Sequence, residues 1–132
     1  MNVLILGSGG REHAFAWKIS QSNLLSHLFI APGNPGTANV GTNLALDVTD
    51  FEGIVAAIRE NHIDLVIVGP EEPLVRGIRN FIESQADLQH VGIVGPGSDG
   101  AQLEGSKDFS KNFMHRYGIP TAASKTFTKE TI

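Results

Sequence analysis

Short apolar runs along the chain alternate with segments whose apolar residues recur at helical spacing. The apolar runs predict buried strands at residues 3–6, 28–30, 65–68 and 91–94, with a weaker one at residues 43–46. Helical spacing predicts a helix over residues 50–61, capped by Asp50, and a further apolar helical stripe over residues 74–82. This alternation predicts an α/β fold: a Rossmann-like parallel sheet with helices on both faces.

Loops rich in glycine and proline follow four of the predicted strands. They are G-S-G-G at residues 7–10, A-P-G-N-P-G-T at 31–37, G-P-E-E-P at 69–73 and G-P-G-S at 95–98. Each loop on its own is explained by ordinary turn chemistry. Because the carboxyl ends of parallel strands meet at one edge of a sheet, four such loops together favour a ligand crevice at that edge.

The first loop places Gly7, Gly9 and Gly10 between a buried strand and a helix that is expected to begin at Arg11. A helix N-terminus carries unpaired N–H groups and a partial positive charge, so this order suits a phosphate. The dinucleotide pattern G-x-G-x-x-G is incomplete, because Glu12 stands at its third glycine position. The acidic residue expected about 20 positions later is also absent. A strand-to-helix turn without a ligand remains an alternative.

Composition and charge restrict the classes of function. The 132 residues suffice for one domain with its own core, and the net charge of −4 without a long basic run gives no electrostatic footprint for nucleic acid. The chain has 0 Cys, which excludes disulfides and thiolate chemistry, and its 5 His show no metal-ligand spacing. No apolar run of membrane length and no leader is found, so we expect a cytoplasmic protein.

The sequence changes in character after about residue 102. Ser106 is expected to cap a helix over residues 108–117, and Gly118 is expected to end it. Residues 122–127 resemble the start of a strand. This tail is too short to bury a second core, so it is expected to open another domain.

Five segments carry a resemblance to a known family. They are G-S-G-G-R-E-H-A (7–14), A-P-G-N-P-G-T-A (31–38), D-L-V-I-V-G-P-E-E-P-L (64–74), L-E-G-S-K-D-F-S-K (103–111) and Y-G-I-P-T-A (117–122). In this order they closely resemble the amino-terminal part of the phosphoribosylamine–glycine ligase family, ATP-grasp enzymes of purine synthesis. The resemblance implies ATP-dependent joining of glycine to 5-phosphoribosylamine, giving glycinamide ribonucleotide, ADP and phosphate, with Mg²⁺ or Mn²⁺ accompanying the ATP.

The resemblance also implies a division of the chain. Residues 1–102 correspond to the substrate-binding domain, and residues 103–132 to the beginning of the ATP-grasp domain. The sites for ATP, metal and glycine lie in a later part of the family enzyme, so this chain alone is expected to be inactive and to contain no catalytic or metal-binding residue. The expected partners are small-molecule substrates, without nucleic acid or membrane, and the expected state is a monomer.

Site residues are assigned by the same resemblance. The expected substrate-binding residues are Gly9, Gly10, Arg11, Glu12, Gly33, Asn34, Pro70, Glu71 and Glu72. The amides of Gly9, Gly10 and Arg11 suit an anion or ribose oxygens. Glu12 is expected to accept hydrogen bonds from ribose hydroxyls, and Lys107 to contact ATP phosphates.

Each assignment has a structural alternative. Glu71 and Glu72 could be ordinary first-turn acids, and the sequence does not separate one from the other as the substrate contact. Glu12 could only complement the helix dipole, and Arg11 could only pair with a surface acid. Lys107 near a helix start has the less expected sign for the dipole, which favours a ligand.

Two other classes of function remain open at this point. The glycine-rich loop could belong to a nucleotide-cofactor module of an oxidoreductase, although the incomplete fingerprint argues against this. The chain could also be a non-catalytic scaffold that pairs with another chain through its apolar-rich tail. Binding of NAD would identify the first, and concentration-dependent self-association the second.

Overall fold

The computed structural model describes residues 1–127 and residue 129. Five strands form one sheet: β1 (Asn2–Gly7), β2 (His27–Pro32), β3 (Thr42–Asn43), β4 (Leu65–Val68) and β5 (Gly92–Val94). The helices are α1 (Gly10–Ile19), α2 (Phe51–Glu60), α3 (Glu71–Val75), α4 (Ile78–Glu83), α5 (Ser98–Gly105) and α6 (Lys107–Arg116), with short 3₁₀ helices at Thr37–Asn39 and Ala86–Leu88.

The sheet has the strand order β3-β2-β1-β4-β5, and every pairing is parallel. From β1 the chain forms β2 and then β3 on one side of that strand. It then crosses to the other side of β1, where it forms β4 and β5. In the register, Leu6 lies between Ala31 and Val68. The carboxyl ends of β1 and β4 therefore form a topological switch point, where ligands bind in open α/β sheets.

Alternate residues of β1 pack on opposite faces of the sheet. Leu4 and Leu6 join the larger core, to which α2, α3 and α4 contribute. Val3 and Ile5 join the smaller core with Ala16 of α1. Because helices cover both faces, the predicted α/β architecture is confirmed, and the period of two along β1 explains how one strand supplies both cores.

Two predicted helix caps are confirmed. The carboxylate of Asp50 accepts a hydrogen bond from Gly53 N at 3.0 Å at the start of α2. The hydroxyl of Ser106 accepts from Phe109 N at 3.2 Å at the start of α6. Both side chains satisfy an N–H group that has no partner within its helix.

Four features of the structure differ from the predictions. The apolar stripe over residues 74–82 forms two helices, α3 and α4, because Gly77 between them has a φ of +89°, which ends a right-handed helix. The third strand stops at Asn43, since Leu46 N turns back to Leu44 O. Helix α5 was not predicted. In the described part of the tail, residues 121–127 have no strand partner, and Lys111 Nζ donates instead to the carbonyl of Ala122 at 2.7 Å.

In the part of the chain that the structure describes, no helix combines the length and the apolar character needed to cross a membrane.

Candidate functional site

A cavity of about 340 Å³ opens at the switch point between β1 and β4. It is lined by Gly7, Ser8, Gly9, Glu12, Pro32, Asp47, Val48 and Pro70. The last residue of β2 and the segments following β1, β3 and β4 contribute to this lining. The expected crevice is therefore present, although the loop after β5 does not line this cavity.

Glu12 lies in the wall of this cavity with only 4% of its surface exposed. Its Oε2 accepts a hydrogen bond from Gly9 N at 2.8 Å, and its Oε1 accepts from Arg11 Nε at 2.8 Å. The side chain passes between Gly7 and Gly69, where a Cβ on either glycine would overlap it. The absence of side chains at these two positions is therefore what allows the carboxylate to enter the loop.

The Glu12 carboxylate remains charged despite its burial. Burial alone would raise its pKa, because a charged group is poorly solvated there. The hydrogen bonds from Arg11 and from the amide of Gly9 favour the charged form and outweigh burial, so the pKa of Glu12 is lowered overall. The carboxylate in the wall of the cavity is therefore ionised, and Arg11 is its ion-pair partner.

One backbone amide of the first loop has a different hydrogen-bond partner from the expected one. The amide of Gly9, which was expected to meet a ligand, already donates to Glu12 because that carboxylate folds back onto the helix start. Gly10 is exposed, and apart from its chain neighbours and the backbone of its own helix no heavy atom lies within 4 Å of the place a Cβ would occupy. The space beside the Cα of Gly10 is therefore open, whereas the amide of Gly9 is occupied by Glu12.

Arg11 is directed away from the cavity. Its side chain is half exposed and lines a separate groove of about 470 Å³, which also includes Phe15, Val94 and Glu104. The hydrogen bond to Glu12 is the main cause that raises the pKa of Arg11. An ion pair between Arg11 and an acid was one of the alternatives for this residue. The structure contains such a pair, and the acid is the neighbouring Glu12.

The loop after β2 lies directly against the first loop. Gly33 adopts a φ of +72° and donates from its amide to Gly7 O at 3.2 Å. The Asn34 side chain donates to Ser8 O at 2.8 Å. Neither residue is in the cavity lining, where Pro32, the last residue of β2, is found instead. The structure therefore brings Gly33 and Asn34 to the first loop rather than to the cavity surface.

Glu71 and Glu72 open α3 directly after Pro70, and both are exposed. Glu72 forms an ion pair with Arg76 one turn later, at 2.6 Å. Glu71 is not in an ion pair within 4.0 Å among the described residues. The geometry therefore distinguishes two carboxylates that the sequence did not.

Lys107 is exposed at the first position of α6 and is not in the lining of the cavity. Among residues 1–127 and 129, no group of three or more His, Cys, Asp or Glu side chains is arranged to hold a metal ion. No metal ligand is therefore assigned to the described part of the chain.

Asp47 is a cavity residue that the sequence analysis did not identify. Its Oδ1 accepts from the Thr49 hydroxyl at 2.6 Å and from Thr49 N at 2.7 Å, and the first of these contacts is the main cause that lowers the pKa of Asp47. The available signal was its position shortly after the third predicted strand. No glycine or proline marks that strand end, so the loop pattern does not indicate Asp47 as a site residue.

Comparison with known proteins places this site in a family. The family described as phosphoribosylglycinamide synthetase, N domain, matches residues 1–104. Phosphoribosylamine–glycine ligase of Agrobacterium fabrum is 50% identical, covering 96% of this chain and 29% of the relative. The enzyme of the same name from Pasteurella multocida is 50% identical, covering 98% and 30%. The chain thus spans about three tenths of the length of these relatives.

Solved structures show the same relationship. A crystal structure of phosphoribosylamine–glycine ligase from Thermotoga maritima matches with a TM-score of 0.65 and 34% identity, over 93% of this chain and 26% of that one. Saccharopine dehydrogenase from Saccharomyces cerevisiae matches with a TM-score of 0.53 and 18% identity, over 89% and 32%, which shows a shared fold alone. The resemblance inferred from the motifs is confirmed: this chain belongs to the phosphoribosylglycinamide synthetase family and matches its N domain.

Proposed function

We propose that this chain is the substrate-binding part of a phosphoribosylamine–glycine ligase. In the proposed reaction, the terminal phosphoryl group of ATP passes to the glycine carboxylate, giving an acyl phosphate and ADP. The amine of 5-phosphoribosylamine then attacks the acyl carbon and releases phosphate, leaving glycinamide ribonucleotide. The observation that carries the proposal is the family match over residues 1–104, which includes every segment lining the switch-point cavity.

The charge of the cavity indicates which part of the sugar phosphate it receives. Glu12 and Asp47 contribute carboxylates, and no Lys or Arg is in the lining itself, although Arg11 pairs with Glu12 from outside it. Carboxylates accept hydrogen bonds from hydroxyls and amines, and they repel a phosphate. We therefore assign the ribose hydroxyls and the amine, rather than the phosphate, to this cavity.

Glu71 is the proposed contact for the reactive amine. It follows Pro70, a residue of the cavity lining, and it is exposed at the start of α3. Glu72 is engaged with Arg76, so its carboxylate is less available to a ligand. The lack of an ion pair for Glu71 among the described residues supports its choice over Glu72.

ATP and Mg²⁺ or Mn²⁺ are proposed to bind mainly in a later part of the full-length enzyme. Lys107 is the residue of this chain proposed to contact ATP phosphates, supported by its exposure at the positive end of α6. The proposal also includes a boundary at residue 102 between the substrate-binding domain and the ATP-grasp domain. The end of the family match at residue 104 supports this boundary. A monomeric state and a cytoplasmic location are further parts of the proposal.

The experiment is an assay of the full-length protein with ATP, Mg²⁺, glycine and phosphoribosylamine generated in the reaction vessel. Glycinamide ribonucleotide is detected by mass spectrometry, and ADP is measured in parallel. We expect equimolar product and ADP, with both lost when glycine or the amine is omitted. ADP formation that is independent of either substrate would contradict the proposal, as would the absence of product.

A further inference from the structure

The carboxamide of Asn34 connects the two glycine-rich loops that follow β1 and β2. Its Nδ2 donates to Ser8 O at 2.8 Å and, at a longer 3.5 Å, to Gly9 O. Its Oδ1 accepts from Gly36 N at 2.8 Å and from Thr37 N at 3.0 Å. Both ends of the carboxamide are therefore engaged by main-chain groups of the protein.

The backbone of Asn34 is itself held firmly in place. Its N–H donates to the Thr37 hydroxyl at 2.8 Å, and its carbonyl accepts from Asn43 Nδ2 at 2.8 Å. Thr37 is fully buried, and the Asn43 side chain fills the space beside Gly33. Asn34 therefore projects from a rigid part of the second loop towards the first.

The contact with Ser8 fixes one particular peptide unit of the cavity wall. Ser8 O and Gly9 N–H belong to the same planar peptide group, so they can rotate only together. Asn34 holds the carbonyl end of this unit, and Glu12 Oε2 holds its N–H end at 2.8 Å. Any rotation of the peptide would break both hydrogen bonds.

We propose that Asn34 is a positioning residue for the substrate cavity. It sets the orientation of the Ser8–Gly9 peptide, and through the weaker contact to Gly9 O it also biases the next peptide, which carries the N–H of Gly10. It acts through the loop and makes no contact with the substrate itself. This inference rests on the proposed function, because it concerns how the same cavity is shaped.

The test uses Asn34→Asp in the full-length ligase. An aspartate keeps the oxygen that accepts from Gly36 and Thr37, but it places a carboxylate oxygen against Ser8 O, where the amide donor was. We expect the Kd for glycinamide ribonucleotide, measured by calorimetry, to rise about tenfold or more. The KM values for ATP and glycine should stay within about twofold, because those sites are formed elsewhere.

Asn39→Asp is the matched control, since it makes the same change of charge on an exposed residue of the same loop region. We expect that variant to bind glycinamide ribonucleotide as the parent does. Hydrogen exchange of the peptide covering residues 3–13 should be faster in Asn34→Asp than in Asn39→Asp. Equal Kd values for the two variants would overturn the inference, as would a similar rise in the Kd for glycinamide ribonucleotide and in the KM values for ATP and glycine.

Asn34→Ser provides a second variant if Asn34→Asp fails to fold. A serine hydroxyl can still support the local turn but is too short to reach Ser8 O. Weakened binding of glycinamide ribonucleotide in this variant supports the inference, and parental affinity overturns it. Failure of the proposed function would be distinguishable, because the parent enzyme itself would then not bind glycinamide ribonucleotide.

Discussion

Gly69 and Glu12 fit together so closely that a Cβ on Gly69 would lie 2.6 Å from the carboxyl carbon of Glu12. Gly69 is not in the left-handed region of backbone conformation, so the space taken by Glu12 is what excludes a side chain there. Gly69 follows β4, and Glu12 belongs to α1. The contact therefore joins the two sides of the switch point where the cavity opens.

The first prediction concerns this contact. Gly69→Ala should lower the free energy of unfolding by about 1–3 kcal/mol, because an added methyl group overfills the site. In a Glu12→Ala background, Gly69→Ala should lower the free energy of unfolding by less, since the obstructing carboxylate is absent. Urea unfolding of the two single variants and the double variant measures the coupling.

Gly10→Ala serves as its control, because a Cβ at Gly10 would meet open space. That substitution should leave the free energy of unfolding unchanged or slightly increased. Additive effects of Gly69→Ala and Glu12→Ala would show that the two side chains do not compete for the same space.

The second prediction is a pH dependence of stability. The pKa of Glu12 is lowered in the folded chain, so the unfolded chain binds its proton more readily. The stability contributed by the charged carboxylate is then present above the ordinary glutamate pKa of about 4.3, and it is lost as the pH falls through the lower folded-state value. Urea unfolding at a series of pH values should show a smaller decline on acidification in Glu12→Gln than in the parent. Parallel profiles would contradict this assignment.

The burial of Glu12 shows why the sequence predicted a crevice at this edge of the sheet but not the contacts within it. The pattern of strands and glycine-rich strand ends was sufficient to place a crevice at one edge of the sheet. It could not show that Glu12 folds back onto Gly9, because that contact depends on the lack of a side chain at Gly69, 57 positions further along the chain. An acidic residue in a first helical turn is ordinarily exposed, and the local sequence carries no sign of the tertiary contact.

A second difference between the prediction and the structure lies in the backbone conformation of Gly77. Residues 74–82 have the spacing of one helix, and their apolar members Leu74, Ile78 and Ile82 all enter the core. The positive φ of Gly77 divides them into α3 and α4. Since glycine is tolerated in helices as well as at their ends, periodicity alone could not locate this break.

The third prediction separates the two acidic residues that follow Pro70. If the full-length protein has the proposed ligase activity, Glu71→Gln in it should raise the KM for phosphoribosylamine and reduce kcat, by about tenfold or more for the loss of a charged hydrogen bond to the amine. Glu72→Gln should have only a small effect, because Glu72 already pairs with Arg76 on the surface. Steady-state kinetics with phosphoribosylamine as the varied substrate provides the measurement. Equal behaviour of the two variants, or the reverse order, would show that Glu71 was wrongly chosen.

The fourth prediction tests whether Gly10 is a point of close approach for the substrate. In Gly10→Ala the added methyl group lies at the start of α1 and, apart from its chain neighbours and its own helix backbone, meets no atom within 4 Å. The fold should therefore be retained with an unchanged or slightly raised Tm. A substrate that contacts the N–H of Gly10 would meet the same methyl group, and the Kd for glycinamide ribonucleotide should then rise about tenfold. Calorimetry on the full-length enzyme, together with thermal unfolding, separates these effects. Parental affinity in a stable Gly10→Ala enzyme would place the substrate away from the start of α1 and restrict its contacts to the cavity between Glu12 and Asp47.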